Sequence, residues 1–393
     1  MKSFSAPLIY TGVNEPVIDH VITTDDHGSI LTIKPEEECK NLDIQYFDGA
    51  IVPGLVNAHC HLELSHMRGI IPTGTKLVEF IRQIVTRRNE HPESILPAIR
   101  QADEDMYRNG IVAVGDISNV IDTFAQKQKS KIQYHTFIEA FDLFQKGKAG
   151  EEMNRAVQVY EQLQERPGHK KSIVPHAPYS VSDELFSLIA GHIQSNTSQS
   201  IHHQETIAED QFVKTKTGEL IDFFTALGLS FDSFIPDGKP ASHRVMAHMK
   251  SNQKTLLVHN TMSTTEDIKA IEAWNQDVYW VTCPNANLYI ENRLPRYQYW
   301  MDAGARMCIG TDSLASNWQL DILEEIKTIL KYQSMVTFNM AIKWATMNGA
   351  KALGFDDTLG SIEVGKRPGL VLINRFDINS RLPRPESNAS RII

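Results

Sequence analysis

The sequence has few cysteines and lacks the long apolar and basic runs that mark several large classes of protein. Its four cysteines (Cys39, Cys60, Cys283 and Cys308) are scattered over 393 residues without Cys-x-x-Cys spacing, and they do not resemble a disulfide framework. A reducing, cytoplasmic setting is therefore the simpler expectation. No stretch approaches the roughly 18 apolar residues of a membrane span, and the N-terminus lacks the apolar segment of a signal peptide.

The charge balance gives no support for a polyanionic partner. The formal net charge is -9, and no basic run with interleaved aromatic residues is present. We therefore expect no nucleic-acid or membrane partner, and a small molecule as the ligand. Hydrophobic residues make up 41% of the chain and charged residues 22%, which is typical of a globular protein.

The pattern of short apolar runs predicts an α/β fold with two domains. Residues 1–50 contain short β-like segments separated by Gly, Asp and Pro, and a similar segment follows near residues 360–374. We expect both chain ends, residues 1–50 and 359–393, to form one small β domain. Residues 51–358 alternate strand-like and helix-like segments, which predicts a (β/α)8 barrel. Its eight strands are predicted at 50–57, 111–116, 132–139, 172–176, 200–205, 255–259, 278–283 and 306–311.

Two histidines at the end of the first predicted strand are the strongest chemical signal. The segment 53–61 reads PGLVNAHCH, and His59 and His61 are two residues apart. Because side chains alternate along a strand, both imidazoles face the same way and can form half of a metal site. Alternatively, the two histidines form hydrogen bonds within a turn and bind no metal.

Further ligand candidates end other predicted strands. The segment SIHHQET offers His202 or His203, of which we favour His202, because a strand that ends there lets Glu205 fold back over the site. Asp312, after the last strand, adds a carboxylate, although an Asp in this position can also cap a surface turn. Three imidazoles and one carboxylate suit one divalent ion, with Zn²⁺ favoured over Fe²⁺. The fourth strand begins with lysines rather than ending with one, which argues against a bridged pair of metals.

These motifs resemble the amidohydrolase superfamily, in the branch of purine and heterocycle deaminases and chlorohydrolases. The blocks PGLVNAHCHLELS, VPHAPYSVS, IHHQETIAED, LLVHN, VTCPNANLYI, IGTDSLASN and LGSIEVGKRPGLVLI cover nearly the whole chain in the order typical of the branch. The resemblance implies a distorted (β/α)8 TIM barrel with a β-sandwich made from both chain ends, and often a homodimer. Cys60 departs from the pattern, since a small polar residue is more usual between the two histidines.

The resemblance also implies residue roles. It places His59, His61, His202 and Asp312 at the metal, Glu205 as the proton shuttle, and His259 beside a metal-bound hydroxide. It implies that His176 and the turn Cys283-Pro284-Asn285-Ala286-Asn287 line the substrate pocket. From its expected position beside the metal, Asp312 is also predicted to take the proton of the water.

The expected reaction is hydrolytic deamination of an aminated heterocycle, with a 6-aminopurine nucleoside such as adenosine or aminodeoxyfutalosine as the favoured substrate. Metal-bound hydroxide attacks the ring carbon while Glu205 protonates the neighbouring ring nitrogen. Hydrolysis of a cyclic amide or a chlorinated heterocycle is the alternative reaction, and a non-catalytic metal-binding barrel is a remote one.

Substrate contacts are also expected from residues close to these motifs. Glu63 is a candidate to accept a hydrogen bond from the substrate, or alternatively pairs with Arg68 or His66. Ser313 follows Asp312, and Trp318 could stack on a purine, although core packing is the commoner fate of an aromatic residue. Arg68, Arg82 and His66 are the candidates to meet a substrate carboxylate.

Overall fold

The computed structural model describes residues 1–194 and 197–393. The N-terminal segment forms six short strands: β1 (Lys2–Ser5), β2 (Leu8–Ile9), β3 (His20–Thr24), β4 (Ile30–Pro35), β5 (Ile44–Tyr46) and β6 (Ala50–Pro53). Four of them make one sheet in the order β4-β3-β1-β5. Within the described residues, no helix combines the length and the apolar character that crossing a membrane requires.

Eight strands follow that match the eight expected from the sequence. They are β7 (Leu55–Cys60), β8 (Ile111–Ile117), β9 (Gln133–Ala140), β10 (Lys170–Pro175), β11 (Ser198–His203), β12 (Lys254–His259), β13 (Val278–Thr282) and β14 (Met307–Ile309). Neighbours pair in parallel and in chain order, β7 to β10 in one half and β11 to β14 in the other.

Backbone contacts join the two halves at both seams. The Thr311 amide donates to His59 O over 3.0 Å, next to a parallel bridge between Cys60 and Asp312. At the opposite seam the His202 amide donates to His176 O over 2.9 Å. The fold is therefore the distorted (β/α)8 barrel that the sequence predicted.

Helices connect the barrel strands and cover them. The α-helices are α1 (Leu77–Arg87), α2 (Ile95–Arg108), α3 (Phe124–Lys127), α4 (Ala149–Gln162), α5 (Asp183–His192), α6 (Ile207–Thr215), α7 (Glu219–Ala226), α8 (Ala241–His248), α9 (Thr265–Trp274), α10 (Pro284–Glu291), α11 (Tyr297–Asp302), α12 (Ile322–Tyr332), α13 (Phe338–Lys343) and α14 (Gly349–Leu353). Single 3-10 turns lie at Glu36–Glu38, Leu62–Met67 and Pro92–Ser94, and a π-helical turn lies at Trp344–Asn348.

The last strands return to the N-terminal segment. They are β15 (Leu370–Ile373), β16 (Phe376–Asp377), β17 (Leu382–Pro383) and β18 (Ala389–Arg391). A second sheet has the order β18-β15-β6-β2, so residues from both chain ends share it. The domain boundaries at 50/51 and 358/359 stay a prediction.

The first predicted barrel strand, 50–57, is divided in the structure. Ala50–Pro53 pairs with β15 and β2, whereas Leu55–Cys60 pairs with β8. Gly54 separates the two strands at a point where a side chain would overlap the carbonyl of Pro368 and the side chain of Val112. An uninterrupted apolar run hides such a break, because its hydrophobic pattern continues through the glycine.

Candidate metal centre and active site

Three imidazoles and one carboxylate meet at the carboxyl ends of the barrel strands. His59 Nε2 and His61 Nε2 are 3.1 Å apart, and His61 Nε2 lies 3.3 Å from His202 Nε2. Asp312 Oδ1 lies 3.6 Å from His59 Nε2 and 3.4 Å from His61 Nε2. The structure thus brings together all four residues that the sequence predicted as ligands.

The spacing of these four atoms fits a divalent metal ion. Ligands about 2.1 Å from a tetrahedral ion lie roughly 3.4 Å from one another. The measured separations of 3.1–3.6 Å fall around that value. The three Nε2 atoms also point at one another, and too few hydrogens lie between them for every lone pair to accept a hydrogen bond. A cation bound between the three nitrogens accepts these lone pairs instead.

Backbone geometry at the strand ends fixes the ligand set. Asp312 has φ of 58° and His259 has φ of 75°, both in the left-handed region that non-glycine residues seldom adopt. The amide of Asp312 donates to His59 O over 3.1 Å, and this bond holds the carboxylate against the first strand. Such backbone strain is concentrated at functional sites.

Burial keeps most of the imidazoles neutral, the form that binds metals. It lowers the pKa of His59 and brings the pKa of His61 to about 4. Burial alone would raise the pKa of Asp312, but its hydrogen bond to His59 and the surrounding histidines hold it well below its usual range. His59 and His61 therefore present neutral nitrogens beside the charged oxygen of Asp312.

Glu139, at the end of β9, holds the outer nitrogen of His202. Glu139 Oε1 lies 3.1 Å from His202 Nδ1, and the Asn119 amide group donates to Glu139 Oε2 over 3.2 Å. Although burial opposes it, the Glu139 carboxylate raises the pKa of His202 to about 9. This contact orients the His202 ring.

His203, the alternative ligand, faces away from the cluster. Its Nδ1 lies 2.8 Å from Asn260 Oδ1, and its ring packs near Trp280. Burial lowers the pKa of His203 to about 4. The alternation of strand residues explains this arrangement, because adjacent residues of β11 point to opposite faces.

Glu205 and His259 lie directly beside the four candidate ligands. Glu205 Oε1 is 3.7 Å from His259 Nε2, and both residues are buried. Burial raises the pKa of Glu205 to about 8, so this carboxyl group holds a proton at neutral pH. Glu209 accepts the backbone amide of Glu205 over 2.7 Å, which fixes the turn that carries it.

A cavity of about 330 Å³ opens over the cluster. Of the six predicted substrate contacts, Glu63, His176 and Ser313 line it. Glu63 Oε2 accepts the amides of Asn119 and Val120, and Glu63 Oε1 lies 3.6 Å from Arg88. Burial raises the pKa of Glu63 to about 7.

The other three predicted substrate contacts lie outside the cavity wall. Asn285 is held by Glu325 and by Thr328, and Asn287 lies behind His259, with its Nδ2 3.2 Å from the ring Nδ1. Trp318 packs against Tyr289 and remains 48% exposed. Their motifs were located correctly, but the helical turn of α10 directs the asparagine side chains beneath the site.

The cationic residue at the cavity was missed by sequence reasoning. Arg68 donates to Trp318 O, Arg82 pairs with Glu79, and His66 contacts Arg88 O. Among the described residues that line the cavity, Arg88, which follows α1, is the one Lys or Arg side chain. The signal that could have found it is its position at the end of the apolar stripe of α1.

Fold and site together define a (β/α)8 barrel built around a candidate metal centre. The profile of the Amidohydrolase family matches residues 50–389, and the chain therefore belongs to the Amidohydrolase family. The resemblance that the sequence motifs indicated is confirmed at this level.

The chain is similar in sequence or in structure to three known proteins. An adenosine deaminase of Helicobacter pylori is 25% identical over 377 residues, which is 94% of this chain and 88% of that protein. The structure of Helicobacter pylori aminofutalosine deaminase with methylthio-coformycin aligns with a TM-score of 0.85 at 22% identity, over the whole of both chains. Atrazine chlorohydrolase from Arthrobacter aurescens, solved with zinc, aligns with a TM-score of 0.74 at 17% identity, over 94% of this chain and 86% of that one.

Proposed function

We propose that the protein is a metal-dependent hydrolytic deaminase of a 6-aminopurine nucleoside derivative. The observation that supports this most directly is the buried pair Glu205 and His259, 3.7 Å apart beside the three-histidine, one-aspartate cluster. Deamination of a ring needs a proton donor next to the attacked carbon, and Glu205 is such a donor. The relatives named adenosine deaminase and aminofutalosine deaminase support the same reaction class.

A divalent metal, which we propose to be zinc, would be held by His59, His61, His202 and Asp312, and it supplies Lewis acidity that lowers the pKa of a water to about 7. The zinc-bound chlorohydrolase of the same fold supports this choice of metal. We propose one ion per chain, because His59, His61, His202 and Asp312 converge around a single centre at the strand ends.

Asp312 and Glu205 then carry out the proton transfers. Asp312 accepts a proton from the attacking water, while Glu205 donates its proton to the ring nitrogen next to the carbon that bears the amino group. His259 stabilises the charge that develops on the oxygen added to that carbon. The proton accepted by Asp312 leaves on the amine as ammonia, and the hydroxyl proton that remains on the added oxygen returns to Glu205, so water and the aminopurine give the oxopurine and ammonia.

Hydrolysis of a chlorinated heterocycle is the second candidate, favoured by the structural likeness to atrazine chlorohydrolase. A chloride leaving group departs without a proton. The proton that Asp312 takes from the attacking water is therefore needed by a leaving amine and not by a halide, and this favours deamination. A cytoplasmic location and a homodimer, both expected from the sequence, stay predictions.

The test is release of ammonia by zinc-loaded protein. Adenosine, 5'-methylthioadenosine, S-adenosylhomocysteine, aminodeoxyfutalosine, guanine, cytosine and a chlorotriazine form the panel, with chloride release measured for the last. We expect ammonia from at least one 6-aminopurine nucleoside and none from cytosine. Chloride release without ammonia would replace deamination by the second candidate.

A further inference from the structure

The two ring nitrogens of His259 face two different side chains. Glu205 Oε1 lies 3.7 Å from Nε2, and Asn287 Nδ2 lies 3.2 Å from Nδ1. The ring also stacks on that of His202, with centroids 5.5 Å apart and an angle of 21° between the planes. The plane of the ring is therefore fixed, with an amide group at Nδ1 and a carboxyl group at Nε2.

Position alone would allow His259 to bind the metal. One of its ring nitrogens lies within 4.8 Å of ligand atoms of His59 and Asp312, close enough for the three residues to share an ion. Binding depends on the tautomer of the ring, because a nitrogen that carries a proton is a hydrogen-bond donor and has no lone pair for a metal. The hydrogen bond made by one nitrogen determines what the other presents, so the partner of Nδ1 decides the role of Nε2.

Helix α10 holds Asn287 against the ring of His259. Pro284 begins this helix, and the backbone amide of Asn287 donates to Cys283 O over 2.9 Å. Asn287 is 2% exposed, and its Oδ1 has no hydrogen-bond partner among residues 1–194 and 197–393. A buried polar atom without a partner is costly, and in a native structure it calls for a specific explanation. The contact between Nδ2 and His259 provides that explanation.

We propose that Asn287 is a positioning residue that keeps the ring proton of His259 on Nε2. The side-chain amide of Asn287 donates to Nδ1, so Nε2 holds the proton and faces the site as a hydrogen-bond donor. His259 then stabilises the charge that develops on the oxygen added to the substrate, and it is not a fifth metal ligand. This inference rests on the proposed deaminase function and adds the residue that sets the form of His259.

The groups around Nε2 favour the same orientation of the amide. If the amide of Asn287 were turned over, Oδ1 would accept a proton from Nδ1, and Nε2 would be left with a lone pair. That lone pair would face the Asp312 carboxylate and Glu205 Oε1, and like charge at this distance is unfavourable. A lone pair at Nε2 would also compete with the substrate for the proton of Glu205. A proton on Nε2 avoids both conflicts.

The position of the ring proton can be observed by NMR. Zinc-loaded protein is labelled with the heavy nitrogen isotope in its histidine rings, and the ring signals that disappear in His259→Gln are those of His259. The nitrogen chemical shift distinguishes a protonated ring nitrogen from an unprotonated one. We expect the wild type to show a proton on Nε2 and none on Nδ1. A proton on Nδ1, or an Nε2 without one, would overturn the proposal.

Two aspartate variants separate the contact with His259 from the effect of an added charge. Asn287→Asp replaces the donor by an acceptor, so its carboxylate draws a proton onto Nδ1. Asn292→Asp makes the same chemical change at the exposed C-terminal end of α10. We expect a proton on Nδ1 of His259 in Asn287→Asp and the wild-type pattern in Asn292→Asp. The wild-type pattern in both variants would show that Asn287 does not set the tautomer.

Steady-state kinetics are the second measurement. Asn287→Leu keeps the bulk of the side chain but removes the hydrogen bond. We expect kcat to fall by about 10–100-fold, less than the roughly 10²–10³-fold loss that follows removal of a charge-stabilising donor itself, with KM unchanged. A rise in KM at unchanged kcat would place Asn287 in substrate binding and overturn the proposal. If the wild type releases no ammonia from any nucleoside, the deaminase function fails, whereas the NMR result still decides whether Asn287 sets the tautomer.

Discussion

Glu139 Oε1 lies 3.1 Å from His202 Nδ1, while His202 Nε2 lies 3.3 Å from His61 Nε2. One nitrogen of the ring is therefore held by a buried carboxylate, and the other is presented to the candidate metal site. A carboxylate that binds the outer nitrogen of a ligating histidine fixes its orientation and increases its basicity.

Glu139→Gln is expected to weaken zinc binding by about 10–100-fold, which is typical when such an outer partner is lost. Glutamine keeps the size of the side chain and can still accept one hydrogen bond, but it removes the charge that favours donation by Nδ1. Competition with a chromophoric chelator measures the affinity. An unchanged zinc affinity would show that Glu139 serves packing alone.

The neighbouring histidine provides the control for that measurement. His203 is buried, and its Nδ1 contacts Asn260 on the far side of the strand. His203→Gln, which retains a donor for Asn260 Oδ1, is expected to bind zinc as the wild type does, whereas His202→Gln is expected to lose most of its affinity. The reverse result would move the ligand role to His203.

The sequence located the candidate ligands better than it located the side chains around them. His59 and His61 could be recognised because a two-residue spacing at a strand end has one geometric meaning, and Asp312 because it ends the last strand. The contact of Glu139 with His202 joins β9 to β11 across the intervening β10, so no local spacing encodes it. Side chains from alternate barrel strands share a layer, and only the closed barrel shows which of them meet.

The predicted substrate contacts that lie outside the cavity wall were misplaced for a similar reason. Trp318 follows the motif that contains Asp312, and the motif predicts its neighbourhood but not the rotation of its side chain. The structure turns it towards Tyr289 and leaves the cavity wall to the apolar face of α1. The apolar residues of that face, Leu77, Phe80, Ile81 and Ile84, recur at helical spacing. Any helix that packs on a core shows the same pattern, so the spacing does not identify a cavity wall.

Glu205→Gln is expected to retain zinc and to lose turnover by about 10²–10⁴-fold, the usual contribution of a general acid. The glutamine fills the same buried space but has no acidic proton for the ring nitrogen. Metal content and ammonia release are measured on the same preparation. Turnover close to that of the wild type would remove Glu205 from the proton transfers.

A buried carboxyl group under the site predicts a dependence of stability on pH. Glu325 accepts the amide of Asn285 over 2.9 Å and the Asn317 amide group over 2.7 Å. Burial raises the pKa of Glu325 to about 8 from the ordinary value of 4.5. Between these two values the folded protein binds more protons than the unfolded chain, so its free energy of unfolding falls as the pH rises.

Replacing that group isolates its contribution. Glu325→Gln cannot titrate, so we expect its free energy of unfolding to change less between pH 5.5 and pH 8 than that of the wild type. The difference between wild type and variant is on the order of 1 kcal/mol for each pH unit in this range. Urea unfolding of metal-free protein at both pH values measures it. Identical pH dependence in the two proteins would contradict a raised pKa.

The buried pair Asp116 and Lys127 connects the barrel to the segment after His61. Lys127 Nζ lies 2.6 Å from Asp116 Oδ2 and also donates to Ser118 and Thr136. Asp116 Oδ1 accepts the Leu62 amide over 2.8 Å, which fixes the backbone beside a candidate ligand. Both charged groups are at most 1% exposed, so removing one leaves the other without compensation.

Lys127→Met is therefore expected to lower the free energy of unfolding by about 3–5 kcal/mol, the cost of breaking a buried ion pair. The double variant Asp116→Asn/Lys127→Met should lose less, because no buried charge remains and the side-chain oxygen of the introduced asparagine can still accept the Leu62 amide. Lys148→Met on the surface, where Lys148 and Glu151 form an exposed pair at 2.6 Å, is the matched control and should change stability little. Urea unfolding of the metal-free proteins compares all three. If Lys127→Met and the double variant lost the same free energy of unfolding, the loss would come from packing of the lysine side chain. The hypothesis that a charged pair holds the Leu62 backbone in place would then be wrong.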